Sequence, residues 1–209
     1  MSDGIQWLVS LEKWMSSVVF ARGISAQELA LRMGADPDGA TEPITDSDVW
    51  DLEIEAYRPG GDGDGVVRVG ECGGWSFALE YGHSTGGDRL AEISHGGVEA
   101  VHYVPMKEHP PATVFYARDG VSLCGFGLDE ENVRWGEEPD LLVPDLVAGQ
   151  VLGPDGETLL APEDEHYLAT YRRTLGVVER RFGLSLSPAY LQEARLPAYA
   201  VRGTPDMGT

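Results

Sequence analysis

Two dipeptides, Gly73-Gly74 and Asp119-Gly120, constrain this chain more than any other feature of its sequence. Each separates two short runs rich in β-branched and aromatic residues: 66–71 from 75–81, and 113–117 from 121–126. Two-residue loops of this composition accept the positive φ angles of the tight turns that match strand twist, so both predict β-hairpins. A fifth strand-like run covers 98–104. Strands joined by short turns, without helices long enough to cross over, predict an antiparallel sheet of about five strands.

The flanking regions read as helix. Trp7, Leu8, Leu11, Met15, Val18 and Val19 recur at three- and four-residue spacing, which forms one apolar stripe on a helix. Ser25 with Glu28 makes a capping box ahead of Leu29, Leu31 and Met33, and Gly34 closes that segment. A third helix is expected over 46–57, capped by Thr45 or Ser47, before the glycine-rich break at 59–65. One or two helical turns are expected at 88–94, and a short helix interrupted by Pro144 at 141–147. Pro162 is expected to open a helix reaching Phe182, with Leu168, Tyr171, Leu175, Val178 and Phe182 as its seam. Glu163, Asp164 and Glu165 in its first turn and Arg180 and Arg181 in its last suit the helix dipole. Ser187-Pro188 starts a final short helix.

The predicted architecture is therefore α+β, a single domain over 1–203. It divides into a helical part (1–58), a β meander (64–128), an acidic linker with helix (129–162) and C-terminal helices (163–203), followed by a loose tail at 204–209.

Charge narrows the partners. A formal net charge of −20 disfavours direct nucleic-acid binding and anionic membranes, because both require a positive footprint. The imbalance is local: 128–165 holds twelve acids against Arg134 alone, while 166–202 holds six arginines against Glu179 and Glu193. The apolar stretch Trp7 to Phe20 is broken by Glu12, Lys13, Ser16 and Ser17, so it reads as neither a signal peptide nor a membrane span. Cys72 and Cys124 have no CxxC spacing, and a reducing cytoplasm is the expected compartment. Arg outnumbers Lys 13 to 2, a bias expected of a GC-rich bacterium.

One motif invites an enzyme reading. Gly82-His83-Ser84-Thr85-Gly86 fits the nucleophile elbow G-x-S-x-G, with a strand before it and a short helix after. Ser84 would then attack an acyl carbon, assisted by a carboxylate and one of His102, His109 or His166. An elbow belongs at the end of a parallel strand, whereas the hairpins predict antiparallel neighbours, and no HGGG-like oxyanion segment lies upstream. Asp62, Asp64, Gly65 and Glu71 fall at positions three, five, six and twelve of a calcium loop, but Gly60 holds position one and a strand follows. The five histidines show no HxH or HExxH spacing, and there is no G-x-G-x-x-G or Walker lysine. No metal and no cofactor are expected. Glu71 and Glu80, if buried in their strands, would need Arg22 or Arg68 as partners.

Four stretches together carry a resemblance to a known family. They are WLVSLEKWMSSVVFARGISAQELALRMGAD, VVRVGECGGWSFALE, NVRWGEEPDLLVPDL and LSLSPAYLQEARLPAYAV. In this order they resemble an actinobacterial domain family of unknown function. The resemblance implies an α+β module with no assigned activity and no catalytic residues to carry over.

The expectation is a cytoplasmic, non-catalytic interaction module, monomer or homodimer, that binds a basic protein partner. Its binding residues are expected to be Glu130, Glu131, Arg134, Trp135, Glu137 and Glu138, and a toxin-neutralising or conflict-system accessory role fits. The alternatives are a serine hydrolase using Ser84 and an acidic nucleic-acid mimic that binds a basic protein.

Overall fold

A computed structural model describes residues 4–9, 16–52, 65–82, 85–105, 111–160 and 166–201. Its nine strands form one antiparallel sheet: β1 (Ser17–Arg22), β2 (Ala35–Ala40), β3 (Gly65–Cys72), β4 (Trp75–Gly82), β5 (Glu99–Val104), β6 (Thr113–Arg118), β7 (Val121–Gly127), β8 (Glu130–Trp135) and β9 (Ala198–Val201). The spatial order is β2-β9-β3-β4-β1-β5-β6-β7-β8. Among the described residues five α-helices accompany it: α1 (Ala26–Arg32), α2 (Leu90–Ser94), α3 (Val143–Ala148), α4 (Tyr167–Phe182) and α5 (Pro188–Glu193).

The expected hairpins are present. Gly73 and Gly74 join β3 to β4, and Asp119 and Gly120 join β6 to β7, all four with positive φ. Ser25 Oγ accepts the Glu28 amide (3.2 Å) at the start of α1, as the capping box predicts. Ser187 caps α5, where its Oγ accepts from the Tyr190 amide. The acidic turn at 163–165, the glycines at 60, 61 and 63, and the tail lie outside the described residues.

The strand count corrects the expectation of about five. Residues 17–22, expected to end a helix, form β1 at the centre of the sheet, paired with β4 and β5. A central strand is buried on both faces, so Val18, Val19 and Phe20 show no alternation, and a continuous apolar run fits helix and strand equally. Residues 6–9 form a 3₁₀ turn instead. Within the expected third helix a 3₁₀ turn covers Ser47–Asp51, and 53–57 lie outside the described residues. The expected linker contains β8, and the C-terminal segment supplies β9, which inserts between β2 and β3.

Because β1 separates β4 from β5, the chain between them crosses one face of the sheet, carrying α2. The two faces differ accordingly. One carries Phe20, Val66, Phe77, Leu79, Tyr103 and Phe126, beneath Leu175, Val178 and Phe182 of α4 and Leu191 of α5. The other carries smaller residues, Val19, Ala21, Ala78, Ala100 and Ala117, against Leu29 and Ala30 of α1 and Leu90 and Ile93 of α2. Small side chains on that second face let the crossover approach the strands closely.

Candidate functional site

Glu80 and His102 occupy the second face where the crossover leaves β4. Strand pairing aligns Glu80 with Ser17 and His102 with Val19, which sets the carboxylate and the imidazole on either side of β1. Both side chains are about 1% exposed, and His102 Nε2 lies 3.0 Å from Glu80 Oε2. Glu80 Oε1 accepts the amides of Thr85 (2.8 Å) and Gly86 (2.7 Å). The Thr85 and Gly86 amides thus converge on one carboxylate oxygen while His102 Nε2 is hydrogen-bonded to the other.

His102 Nδ1, Ser17 Oγ and Thr85 Oγ1 are buried without a hydrogen-bond partner among the described residues. Orphaned buried polar atoms are uncommon, and three around one carboxylate–histidine pair mark a functional candidate. Gly86 and Gly87 roof the pair. A Cβ on Gly86 would collide with Val19 Cγ2 and approach Glu80 Oε2 to 3.2 Å; one on Gly87 would sit 3.7 Å from His102 Cε1. The imidazole stacks on Phe115 (centroids 6.1 Å apart), and Phe115 in turn meets Trp135 at 5.8 Å. An imidazole oriented by a carboxylate, with its other nitrogen unpaired, is the arrangement of a general base or proton carrier.

This pair corrects the expected partnership of Glu80 with arginine. Arg68 is aligned with Leu79, one residue from Glu80, so the two side chains leave opposite faces. Fully buried, Arg68 bonds Asp46 Oδ1 (3.1 Å), Tyr81 Oη (3.0 Å) and the carbonyl oxygen of Ala194 (2.9 Å). Arg22 pairs with Glu99, and Glu71 is exposed. The signals for both clusters were present in sequence: a glutamate, a histidine and an arginine inside otherwise apolar strands.

The elbow reading meets antiparallel strands on both sides of β4, so the strand that precedes the motif is not the parallel strand of an α/β-hydrolase sheet. Ser84, His83 and His109 lie outside the described residues; His166 caps α4, its Nδ1 accepting the Leu168 amide. Of the three candidate histidines, His102 is the one paired with a carboxylate among the described residues. No group of three or more metal-ligating side chains occurs among the described residues. The Cys124 thiol is pushed up to about 12 by burial and by the Glu138 charge, and both cysteines are free.

The acidic residues separate into two kinds. Glu130, Glu137 and Glu138 are exposed. Glu131 is buried: it accepts the Asp129 amide (3.1 Å) and the Thr174 hydroxyl (2.5 Å), and burial pushes its carboxyl above the usual range. It therefore ties β8 to α4 and is not part of a surface. Arg134 is held against Asp140 and Glu157 with its side chain 7% exposed. Glu137 and Glu138 line a groove of about 790 Å³ with Glu99, Tyr116, Arg118 and Arg181. Trp135 stands on the other face, over Gly125 and beside Phe115, 39% exposed.

These features define an antiparallel α+β protein with a carboxylate–histidine pair sealed beneath a crossover and an acidic edge strand. No helix among the described residues is long and apolar enough to cross a membrane. Residues 6–205 match a family of unknown function (DUF6461), and the chain belongs to that family. Neither the curated proteins nor the solved structures contain a match to the chain.

Proposed function

We propose that this protein is a cytoplasmic, actinobacterial interaction module that binds a basic protein partner stoichiometrically, through Glu130, Glu137 and Glu138. One observation carries the reading. Within 128–165 the fold employs its single cation, Arg134, on Asp140 and Glu157, while the carboxylates of Glu130, Glu137 and Glu138 stay exposed. Exposed like charges repel one another, and a cationic partner relieves that repulsion and accelerates encounter. A toxin-neutralising or accessory role fits such a binder.

The test uses the chain and its Glu130→Gln, Glu137→Gln, Glu138→Gln triple variant as paired baits in lysate of the source cell. A basic protein retained at 1:1 by the parent, lost from the variant and released by about 0.5 M salt is the expected result. Binding indifferent to both salt and neutralisation ends the reading.

A second reading, a serine hydrolase using Ser84, is favoured by the Glu80–His102 pair, which supplies a base and its orienting carboxylate beneath the segment that directly follows Ser84. A fluorophosphonate probe tests it: labelling that disappears in both Ser84→Ala and His102→Phe supports the hydrolase, and an unlabelled parent removes it.

A further inference from the structure

The β6–β7 hairpin carries an irregularity that its turn does not require. Tyr116 faces Cys124 and Ala117 faces Ser122, so Leu123 is an extra residue without a partner on β6, a bulge that bends β7 and re-aims its side chain. Past β8 the chain returns to that bulge. The Glu137 amide donates to the Ser122 carbonyl oxygen (3.1 Å) and the Glu138 amide to that of Leu123 (2.8 Å). Gly136 makes the approach possible: its φ is +117°, and a Cβ there would lie 2.3 Å from the Leu123 oxygen, so glycine alone fits. Glu137 and Glu138 are thereby brought to the groove of about 790 Å³, which Arg118, Val121, Leu123 and Leu141 also line. That volume falls within the roughly 300–1,000 Å³ of small-ligand sites.

The charges of the groove are not spent on one another. Glu99 is held by Arg22 and by the Tyr116 hydroxyl (2.9 Å), Asp119 accepts the Gly97 amide (2.9 Å), and Arg181 pairs with Asp145 at 3.3 Å. Arg118, Glu137 and Glu138 have no ion-pair partner among the described residues, although all three line the same groove. Between these charges lies apolar surface: Val121 is 41% exposed, and Leu123 and Leu141 are half-buried. A ligand of one charge would satisfy one sign of this lining and leave the other unmet. A dipolar ligand with an apolar body satisfies both.

We propose that this groove binds a short apolar peptide with free termini. The peptide carboxylate meets the Arg118 guanidinium, whose planar fork matches it. Its ammonium meets Glu137 and Glu138, and its side chains cover Val121, Leu123 and Leu141. The site goes beyond the basic-partner reading and is separable from it, because Arg118 repels a basic partner and attracts a carboxylate.

The probe is the tripeptide Leu-Ala-Leu, titrated calorimetrically into the full chain beside its N-acetylated and its C-amidated forms. Each modification removes one terminal charge and keeps the apolar body. The expected result is saturable 1:1 binding of the free tripeptide, amide NMR shifts over 118–123 and 137–141, and affinity about three- to tenfold lower for each modified form. Arg118→Gln should weaken the free tripeptide by a similar factor and leave the C-amidated form unchanged. The Glu137→Gln, Glu138→Gln double variant should weaken the free tripeptide and leave the N-acetylated form unchanged. All three side chains are exposed, so both variants are expected to fold, as thermal unfolding would show. Equal affinity for the three peptides, shifts confined to residues outside the groove, or no saturable binding at about 5 mM peptide overturns the proposal. Capture of a basic protein is not lowered by Arg118→Gln, so the two readings fail separately.

Discussion

Arg68 and Glu80 sit on adjacent strands, one register step apart, yet they anchor opposite faces of the sheet with different partners. Arg68 clasps Asp46, the Tyr81 hydroxyl and carbonyl oxygens around α5, joining three segments that are distant in sequence. The Glu80 carboxylate accepts the Thr85 and Gly86 amides and meets His102, and among the described residues both centres hold buried atoms without a partner, Arg68 Nε at one and His102 Nδ1, Ser17 Oγ and Thr85 Oγ1 at the other. Burying charge is costly unless polar groups compensate it. The guanidinium is compensated by contacts from several elements, which makes it a clamp. The carboxylate–imidazole pair is bonded to the amides of the crossover, which makes it a holder of that segment.

Arg68→Ala is the severest challenge to this contrast. It leaves Asp46 and Tyr81 without their cation, and unfolding by urea is expected to show a loss of about 3–5 kcal/mol. His102→Phe keeps the stacking on Phe115 and removes one donor from a carboxylate that retains two amides, so its cost is expected at about 1–3 kcal/mol. Equal losses in the two variants would erase the distinction between clamp and holder.

Gly86→Ala sharpens the second half. Its Cβ cannot be placed without moving Val19 or lifting the crossover, and a cost of about 1–3 kcal/mol is expected. Faster amide exchange should appear at 85–97 while α4 is unchanged. Uniform loss across the sheet would mean that the crossover is not an independent lid over the pair.

A third buried charge, Glu131, adds a pH dependence of known sign. Burial, opposed by the Thr174 hydroxyl, raises its carboxyl above the ordinary value. A group whose pKa rises on folding favours the folded state below its unfolded value, and that contribution is lost as pH climbs through the folded one. Glu131→Gln should therefore flatten the fall in stability above pH 4.5 and leave the variant the more stable at neutral pH, as denaturation at pH 4 and pH 7.5 would show. A steeper fall in the variant would contradict the burial argument. The smallest effect is expected from neutralising Glu130, Glu137 and Glu138 together, within about 0.5 kcal/mol per site, because exposed carboxylates at the edge govern encounter and not packing.

How much of this was readable beforehand follows from how local each signal is. Gly73-Gly74, Asp119-Gly120, Ser25 with Glu28, and Ser187-Pro188 each act within four residues, and each forms the turn or cap its chemistry requires. β8 and β2 carry no such signal: one lies among acids, the other contains proline, aspartates and glycine. Their strand state comes from pairing with β7 and β9. The same holds for the candidate site. Glu80 and His102 are separated by 22 residues and meet because β1, far earlier in the chain, inserts between their strands.

The sequence by itself determined the hairpins, the caps, the α+β class and the concentration of negative charge, since these depend on backbone preference and composition. Tertiary structure alone decided that nine strands share one sheet, that Glu131 is buried while its neighbours are exposed, and that a glutamate and a histidine face each other under two glycines. Those outcomes depend on which strands become neighbours, and strand neighbours are chosen by burial over the whole chain, which no short segment encodes.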